Sequence, residues 1–551
     1  MKKCLLTTFF AFLIAIPNWS LATQKSADEI KKGPALLVAR RRSRRRTRRR
    51  TRSSRRRRTE IRRIHRSTEL SIALNLAKQG NYQEASKKLF KLSFLPKYRK
   101  QRDQIRYILG MMLFQMELNQ LSAYQFISVI KHDNRKYLRP SLEKLSIAAD
   151  DLGDDTLLNY AISRVKVEQF PRALRDMLYF RVGEYQMRAK AYAQAAISFS
   201  KVKRTSSNFS SAKYMQGLAY AEMKHTKHAI ATFADLYDSR ANKPVTDPAR
   251  VAALAGMART YYQQKNWDKS IETYREIPRD TELWHDGLFE MSWAMLRSGR
   301  FRSALSNFQT IHSSFYENFY LPESLLLRSI VYLYICKYDE MEKVLNLYNH
   351  LYKPIYRRVK DYLTTVRRAS TYYNDVSTMM AEYIEKGDDK FDKSKFKMPF
   401  VVGRQLSKEG EYKRATQYIA KLQGEMQKIS NMPGDWRNAA IGRYAMRVLK
   451  TRIKRAKQKA GRDLRRYMVD IRNDLFDLFE QEGFIRYEMI NGKKESLKKR
   501  VAGKDLPSDT VDKDTERDYY VQNGYQYWPF QGEYWLDELG NYHYLGTQSC
   551  E

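Results

Sequence analysis

The sequence predicts an all-α protein: about eight stacked helical hairpins over residues 67–355, long helices over 356–491, a linker over 492–518 and an aromatic C-terminal strap over 519–551. Three observations predict it. A composite pattern of small and aromatic residues returns roughly every 34–41 residues between 68 and 355. From Trp436 to Asn491 there is no proline, and apolar residues recur there at helical steps. With 43% hydrophobic residues and only 14 Pro and 23 Gly in 551, the chain can bury a large core, which excludes whole-chain disorder and a collagen-like rod. Three Cys exclude a disulfide-rich scaffold and a zinc site built from cysteines.

The chain opens on a cationic Met1-Lys-Lys, an apolar run of about a dozen residues and a small-x-small end at Ser20-Leu21-Ala22. This reads as a signal peptide over 1–22, with a mature start at Thr23. Cys4 precedes the apolar run, which argues against a lipid-modified N-terminal cysteine. No other stretch approaches 18 uninterrupted apolar residues, so no permanent membrane helix is expected. The expected location is the periplasm of a bacterial envelope, peripheral at the outer membrane. Cys336 and Cys550 then remain in a compartment where a disulfide persists, and spacing does not say whether they meet.

Residues 40–66 carry 17 Arg and one acid, Glu60, so 23–66 should be disordered in isolation. The densest clusters are Arg44, Arg45, Arg46, Arg48, Arg49 and Arg50, then Arg55, Arg56, Arg57 and Arg58. A flexible polycation binds polyanions by releasing their counterions, with affinity that falls steeply as salt rises. An anionic envelope surface or polymer, a solvated spacer, and nucleic acid if the chain is not exported all fit this segment. The whole chain carries a net charge of +41.

The repeat is clearest in Gly80-Asn-Tyr82-Gln-Glu-Ala85 with Leu89: a turn, an aromatic, a small residue, then a large apolar one four further on. Equivalents of Ala85 fall at 122, 158, 195, 229, 270, 304 and 341. The physical cause is a pair of helices whose backbones approach at a small side chain while an aromatic fills the gap to the next pair. Neither helix hides its apolar stripe alone, so neighbours stack. This is the tetratricopeptide-repeat pattern. It predicts a superhelix with a concave face that binds extended peptides or partner helices.

Gly410-Glu-Tyr412-Lys-Arg-Ala415 with Ile419 reads as a ninth second helix, after an irregular stretch over 386–399. Ile441, Ala445, Val448, Ile453, Ala456, Ala460, Leu464, Met468, Ile471, Leu475 and Leu478 predict one or two long helices packed on the repeats or on another helix. Between Arg447 and Arg466 stand ten Lys/Arg and one acid, Asp463. Such a run is a solvated face or a docking site for an anionic partner. Residues 519–544 hold ten aromatics in 26, a density that should dock on the helical body or on a partner.

Several blocks together resemble a known family. They are Trp284-His-Asp-Gly-Leu-Phe-Glu290-Met-Ser-Trp293, Pro322-Glu323 with Cys336-Lys-Tyr338-Asp339, and Trp528-Pro-Phe-Gln-Gly-Glu533-Tyr-Trp535-Leu-Asp537-Glu538-Leu-Gly540. They resemble the envelope tetratricopeptide-repeat proteins of the adventurous gliding-motility machinery, protein T type, over roughly residues 170–550. The resemblance implies a non-enzymatic component of an envelope assembly linked to motility. It marks Trp293, Pro322, Glu323, Tyr338, Trp528, Glu533, Trp535, Asp537 and Glu538 as structural positions. The arginine run has no counterpart in that resemblance.

No Gly-x-x-x-x-Gly-Lys-Ser/Thr, His-Glu-x-x-His or Gly-x-Ser-x-Gly motif is present. His225 and His228 fall at a repeat turn, where an exposed pair is commoner than a metal site. Glu533, Asp537 and Glu538 beside stacked aromatics invite a cell-wall glycan hydrolase reading, but a short strap does not build a water-excluding cleft. The sequence therefore favours a scaffold with protein partners, with no cofactor, no metal and no small-molecule substrate. A polyanion- or nucleic-acid-binding repeat protein is the alternative.

Overall fold

Eight times along the chain a helix ends on a residue in left-handed backbone and a second helix starts two residues later. In this computed structural model, which describes residues 69–132, 134–163, 166–501, 534–542 and 544, those residues are Gly80, Glu117, Gly153, Lys190, Lys224, Lys265, Gly299 and Cys336. At Gly80 the N–H returns to the Ala77 carbonyl (3.3 Å) and the next N–H, of Asn81, to the Leu76 carbonyl (3.0 Å). The same two bonds recur at the other seven turns. This is the Schellman closure, which satisfies helix-end carbonyls and reverses the chain. Each of the eight lies five residues before Ala85 or its equivalent, which is why the turn keeps register with the repeat.

The helices paired by these turns are α1 (Glu69–Lys78) with α2 (Tyr82–Phe94), α3 (Arg102–Gln115) with α4 (Asn119–Lys131), and α5 (Arg135–Leu152) with α6 (Asp155–Ile162). Then come α7 (Arg172–Arg188) with α8 (Tyr192–Ser200), α9 (Phe209–Glu222) with α10 (Thr226–Ser239), and α11 (Pro248–Gln263) with α12 (Trp267–Arg275). The last two pairs are α13 (Trp284–Arg297) with α14 (Phe301–Ile311), and α15 (Pro322–Tyr334) with α16 (Tyr338–Thr365). From α8 to α16 each helix packs on the next in chain order. All regular structure among the described residues is helical. By their contacts the described residues form two compact units: 69–174 with 417–453, and 175–416 with 454–501 and the strap.

The seam of each pair has two registers, and the first runs along the second helix. Ala85, Ser122, Ala195, Ala229, Ser270, Ala304 and Met341 are all 0% exposed. The side chain of Leu158 lies outside the described residues. A second register runs beside it: Gly110 abuts Phe126, Gly183 abuts Phe199, and Gly217 abuts Phe233. A Cβ added at these glycines would stand 2.5–2.8 Å from the ring. Phe233 is also met by Gly256 of the following pair, at 2.7 Å from where a Cβ would be. Burying a ring of this size stabilises by about 2–3 kcal/mol, a substantial share of what one side chain can add to a pair.

Beyond the array lie α17 (Ala369–Lys390), α18 (Phe400–Lys408), α19 (Gly410–Ser430), the short α20 (Gly434–Arg437) and α21 (Ala440–Val501), a helix of 62 residues. The ninth second helix read from Gly410 is therefore α19. Where a boundary at 355 was expected, α16 runs on through Pro354 to Thr365. The expected linker from 492 begins as helix instead, because Gly492–Val501 contains no proline and is rich in good helix formers. The irregular stretch is shorter than expected: α17 extends to Lys390 across a kink at Gly387. Of the apolar positions read in α21, Ala460, Leu464, Met468, Ile471, Leu475 and Leu478 form its buried stripe in one unit, and Ile441 and Ala445 in the other. Val448, Ile453 and Ala456 are half-buried.

Gly461 explains how α21 sits so close to the turn before α17: a Cβ there would fall 1.7 Å from the Ala369 carbonyl oxygen. Cys336 is disulfide-bonded. The signal segment 1–22, the arginine segment 23–66, most of the expected linker and residues 519–533 lie outside the described residues.

Candidate functional site

The described part of the strap lies against α13, α14 and α15, and the sequence of α14 accounts for its seat. Ala304, Phe308 and Ile311 face the core of that helix, while Ser306, Gln309 and Thr310 share another face at helical spacing. Thr310 Oγ1 accepts the Gly540 N–H at 2.8 Å, and Ser306 Oγ accepts the Tyr544 N–H at 2.9 Å. Gln309 reaches the Tyr534 hydroxyl at 3.4 Å. From the turn before α13, Arg279 forks onto the strap, donating to the Asp537 carbonyl (3.1 Å) and to Asn541 Oδ1 (2.6 Å).

Between these anchors the strap makes a compact turn. Gly540 has φ +82°, and a Cβ there would meet the Trp284 ring at 2.8 Å, so both conformation and approach require glycine. Leu539 is buried, Tyr534 stands edge-on to Tyr542 at 5.9 Å, and Tyr544 stands edge-on to Tyr332 at 6.4 Å. Burial pushes the Tyr534 and Tyr542 hydroxyls above the ordinary tyrosine range. Beside the strap is a cavity of about 640 Å³, walled by Trp284, Leu288, Met291 and Met295 on its apolar side and by Arg275, Arg302, Ser303 and Asn307 on its polar side.

Near this surface a half-buried ion pair and a buried tyrosine tie three helices together. Arg259 of α11 grips Glu290 of α13 through two bonds of 2.7 Å, and the Tyr274 hydroxyl of α12 donates to the same carboxylate at 2.7 Å. Burial works against the Arg259 charge, yet Glu290 holds the guanidinium well above its ordinary value. Burial and Glu290 push the Tyr274 hydroxyl well up. Tyrosine thus stands where neighbouring pairs use Phe233 and Phe308, and its hydroxyl finds a partner, as a buried one must.

The structure spreads the residues singled out from sequence over several places. Trp293 is buried in α13, and its indole N–H has no hydrogen-bond partner among the described residues. Pro322 starts α15, and Glu323 follows in its first turn, its carboxyl pushed up to about 7 by burial and by Asp474. Tyr338 opens α16: its hydroxyl reaches Cys336 Sγ at 3.4 Å, and its ring fills the space that a side chain at 492 would need. Trp535, Asp537 and Glu538 are exposed on the strap turn, so these two acids lack the enclosed setting that glycosidic acid–base chemistry uses. Trp528, Glu533 and the ten arginines from Arg44 to Arg58 named above lie outside the described residues. The His225 and His228 rings lie 6.1 Å apart and tilted to each other, and no group of three metal-ligating side chains occurs among the described residues.

Sequence reasoning missed Arg279, Ser306, Gln309, Thr310 and Asn541. Nothing local marks them, since the strap bonds span 225 to 262 residues of chain. Tyr274 carried a signal, being a tyrosine at a phenylalanine position of the repeat.

No protein-family model matches this chain, and no curated protein matches it. Among solved structures it is similar to a Rap protein complexed with competence and sporulation factor, at 12% identity over 65% of this chain and 99% of that one, with a TM-score of 0.29. It is also similar to the C-terminal part of a TPR repeat-containing protein from Cytophaga hutchinsonii, at 14% identity over 48% of this chain and 95% of that one, with a TM-score of 0.27. A third is a chain of the APC/C hetero-tetramer Cut9–Hcn1, at 11% identity over 69% of this chain and 89% of that one, with a TM-score of 0.22. The eightfold turn and seam register described above carries the assignment of this chain as a tetratricopeptide-type array of helical hairpins.

Proposed function

We propose that this protein is an interaction scaffold whose repeat surface binds extended peptide segments, serving a cell-envelope assembly of the gliding-motility type. The observation that carries the reading is the strap itself. An irregular aromatic segment is held by main-chain N–H groups that donate to side-chain hydroxyls at two points four residues apart, and by a guanidinium that donates to a main-chain carbonyl. Contacts of this kind read backbone and so accept many sequences, while ring pockets and the adjoining cavity supply selection. The envelope placement is supported by the N-terminal segment 1–22 and by the family resemblance. Attachment to an anionic surface or polymer is supported by the charge of residues 40–66.

A labelled peptide with the sequence of residues 534–544 tests the binding role. It should bind the full chain carrying Gly540→Ala, whose own strap cannot seat over Trp284, and should lose at least tenfold in affinity when Arg279→Ala is added. Equal binding with and without Arg279 would reject the scaffold surface described here. Cell fractionation with N-terminal sequencing tests the placement: a mature start at Thr23 in the periplasm is expected, and an intact Met1 in the cytosol would favour the nucleic-acid-binding alternative.

A further inference from the structure

Helix α21 leaves one face uncovered along the unit that holds residues 454–501. At 3.6 residues per turn its buried residues Ala460, Leu464, Met468, Ile471, Leu475 and Met489 point one way. On the uncovered side, Lys454, Arg455, Lys459, Arg462, Arg465 and Arg466 are exposed and fall within an arc of roughly 140°. Further along the same arc come Phe476, Phe484, Tyr487 and Ile490, which are 49%, 66%, 62% and 55% exposed. Arg367 and Arg368, also exposed, precede Ala369, whose carbonyl abuts Gly461. Lys459 and Arg462 lie within the electrostatic reach of Asp463, on the border of this arc. Arg465 bonds Tyr372, and Arg466 pairs with Glu411 at 3.5 Å. Glu480 is the acid within the apolar arc, with Asp470, Asp477 and Glu488 at its edge.

We propose that this face of α21 lies on an anionic lipid surface, its cations on headgroup phosphates and its Phe476, Phe484, Tyr487 and Ile490 side chains in the interfacial region. Four large apolar side chains in water on one helix face mark a surface that something covers. A row of cations in line with them selects a partner that offers negative charge and a greasy layer side by side, which a bilayer with anionic headgroups does. No helix among the described residues is long and apolar enough to cross a membrane, so the contact is interfacial. It is separate from the arginine run and does not need it.

The test is flotation of the full chain with vesicles of phosphatidylcholine containing roughly one-third phosphatidylglycerol, at low salt and at about 0.5 M salt, where charge-only binding is screened. Wild type should remain bound at high salt, and Phe484→Ser with Tyr487→Ser should weaken that residual binding at least tenfold. Lys454→Glu with Arg462→Glu should weaken binding at low salt, and pure phosphatidylcholine vesicles should bind less well. Because all four side chains are exposed, the fold should survive, which an unchanged helical circular dichroism signal checks. Loss of wild-type binding at high salt, or high-salt binding indifferent to the double serine variant, would overturn the proposal. A purely salt-labile component reports the arginine run and leaves that separate reading intact. Hydroxyl-radical labelling completes the test: Phe484 and Tyr487 should label freely without vesicles and be protected with them. Protection without vesicles would assign the face to a second copy or to residues 502–533 instead.

Discussion

Replacing Gly217 by alanine sets two ordinary effects against each other, and the structure decides between them. In an exposed helix the change gains about 1 kcal/mol, since alanine has the higher helix propensity. In α9 the new methyl would stand 2.5 Å from Cε1, 2.7 Å from Cζ and 2.8 Å from Cδ1 of Phe233. That ring cannot retreat, because Gly256 of α11 closes its other side, with three ring carbons within 2.9 Å of where a Cβ would be. Overpacking of this kind costs about 1–3 kcal/mol, and with both sides blocked the upper part of that range applies, for a net loss of about 2 kcal/mol. Native-state hydrogen exchange reads it locally: amides of α9 to α11 should exchange about thirtyfold faster, as 2 kcal/mol requires, with little change in distant pairs. Phe233→Leu in the same background should recover part of the loss, giving a favourable coupling energy of about 1 kcal/mol or more. Gly483→Ala is the control, a helix interior with no atom within 4 Å, and should gain about 0.5–1 kcal/mol. A Gly217→Ala protein as stable as the control would refute the claim that the seam is set by contact between helix backbone and ring.

At the turns, Lys224→Gly and Lys265→Gly should each stabilise by about 0.5–1 kcal/mol, read as a higher urea midpoint, because both lysines sit at φ near 60° where a side chain is strained. Glu425 gives a pH prediction. One oxygen accepts the Gln120 N–H at 2.8 Å, and burial pushes the carboxyl up to about 8. A folded value above the unfolded one, near 4.5, means that stability is full below about pH 4.5 and is lost as pH rises to about 8. The loss is on the order of 4 kcal/mol across that window. Glu425→Gln keeps the acceptor and should flatten this dependence in urea melts at several pH values, while a slope unchanged by the substitution would contradict it.

The repeat was legible because it depends on side-chain size at a fixed interval. Ala85 and its equivalents occupy the point where two backbones approach, so drift to a large residue is resisted except at Leu158 and Met341. The turns were only half legible. Gly80, Gly153 and Gly299 announce left-handed backbone, whereas Glu117, Lys190 and Cys336 adopt it because the two Schellman hydrogen bonds and the packed pair impose it. The run of α16 through Pro354 escaped a reading that takes proline as a boundary, although one lost donor in a long packed helix is tolerated. The strap's aromatics predicted docking, but its anchors are ordinary Ser, Thr, Gln and Arg side chains brought close by the tertiary fold.

That distribution follows from how the array is stabilised. In α14 the positions 304, 308 and 311 are committed to the seam, and the pair keeps its adhesion whatever stands at 306 and 309, which face outward from it. Polar residues there can take up a segment's main chain without cost to the core. In α13 the reverse holds: Glu290 is fixed by Arg259 and Tyr274, so changes at that carboxylate are felt by three helices. On the reading proposed above, a peptide-binding surface would use the outward positions of α14, next to the Arg259–Glu290–Tyr274 group that ties α11, α12 and α13 together. Variation confined to 306, 309 and 310 should alter which segment binds, while variation at 259, 274 or 290 should alter stability first.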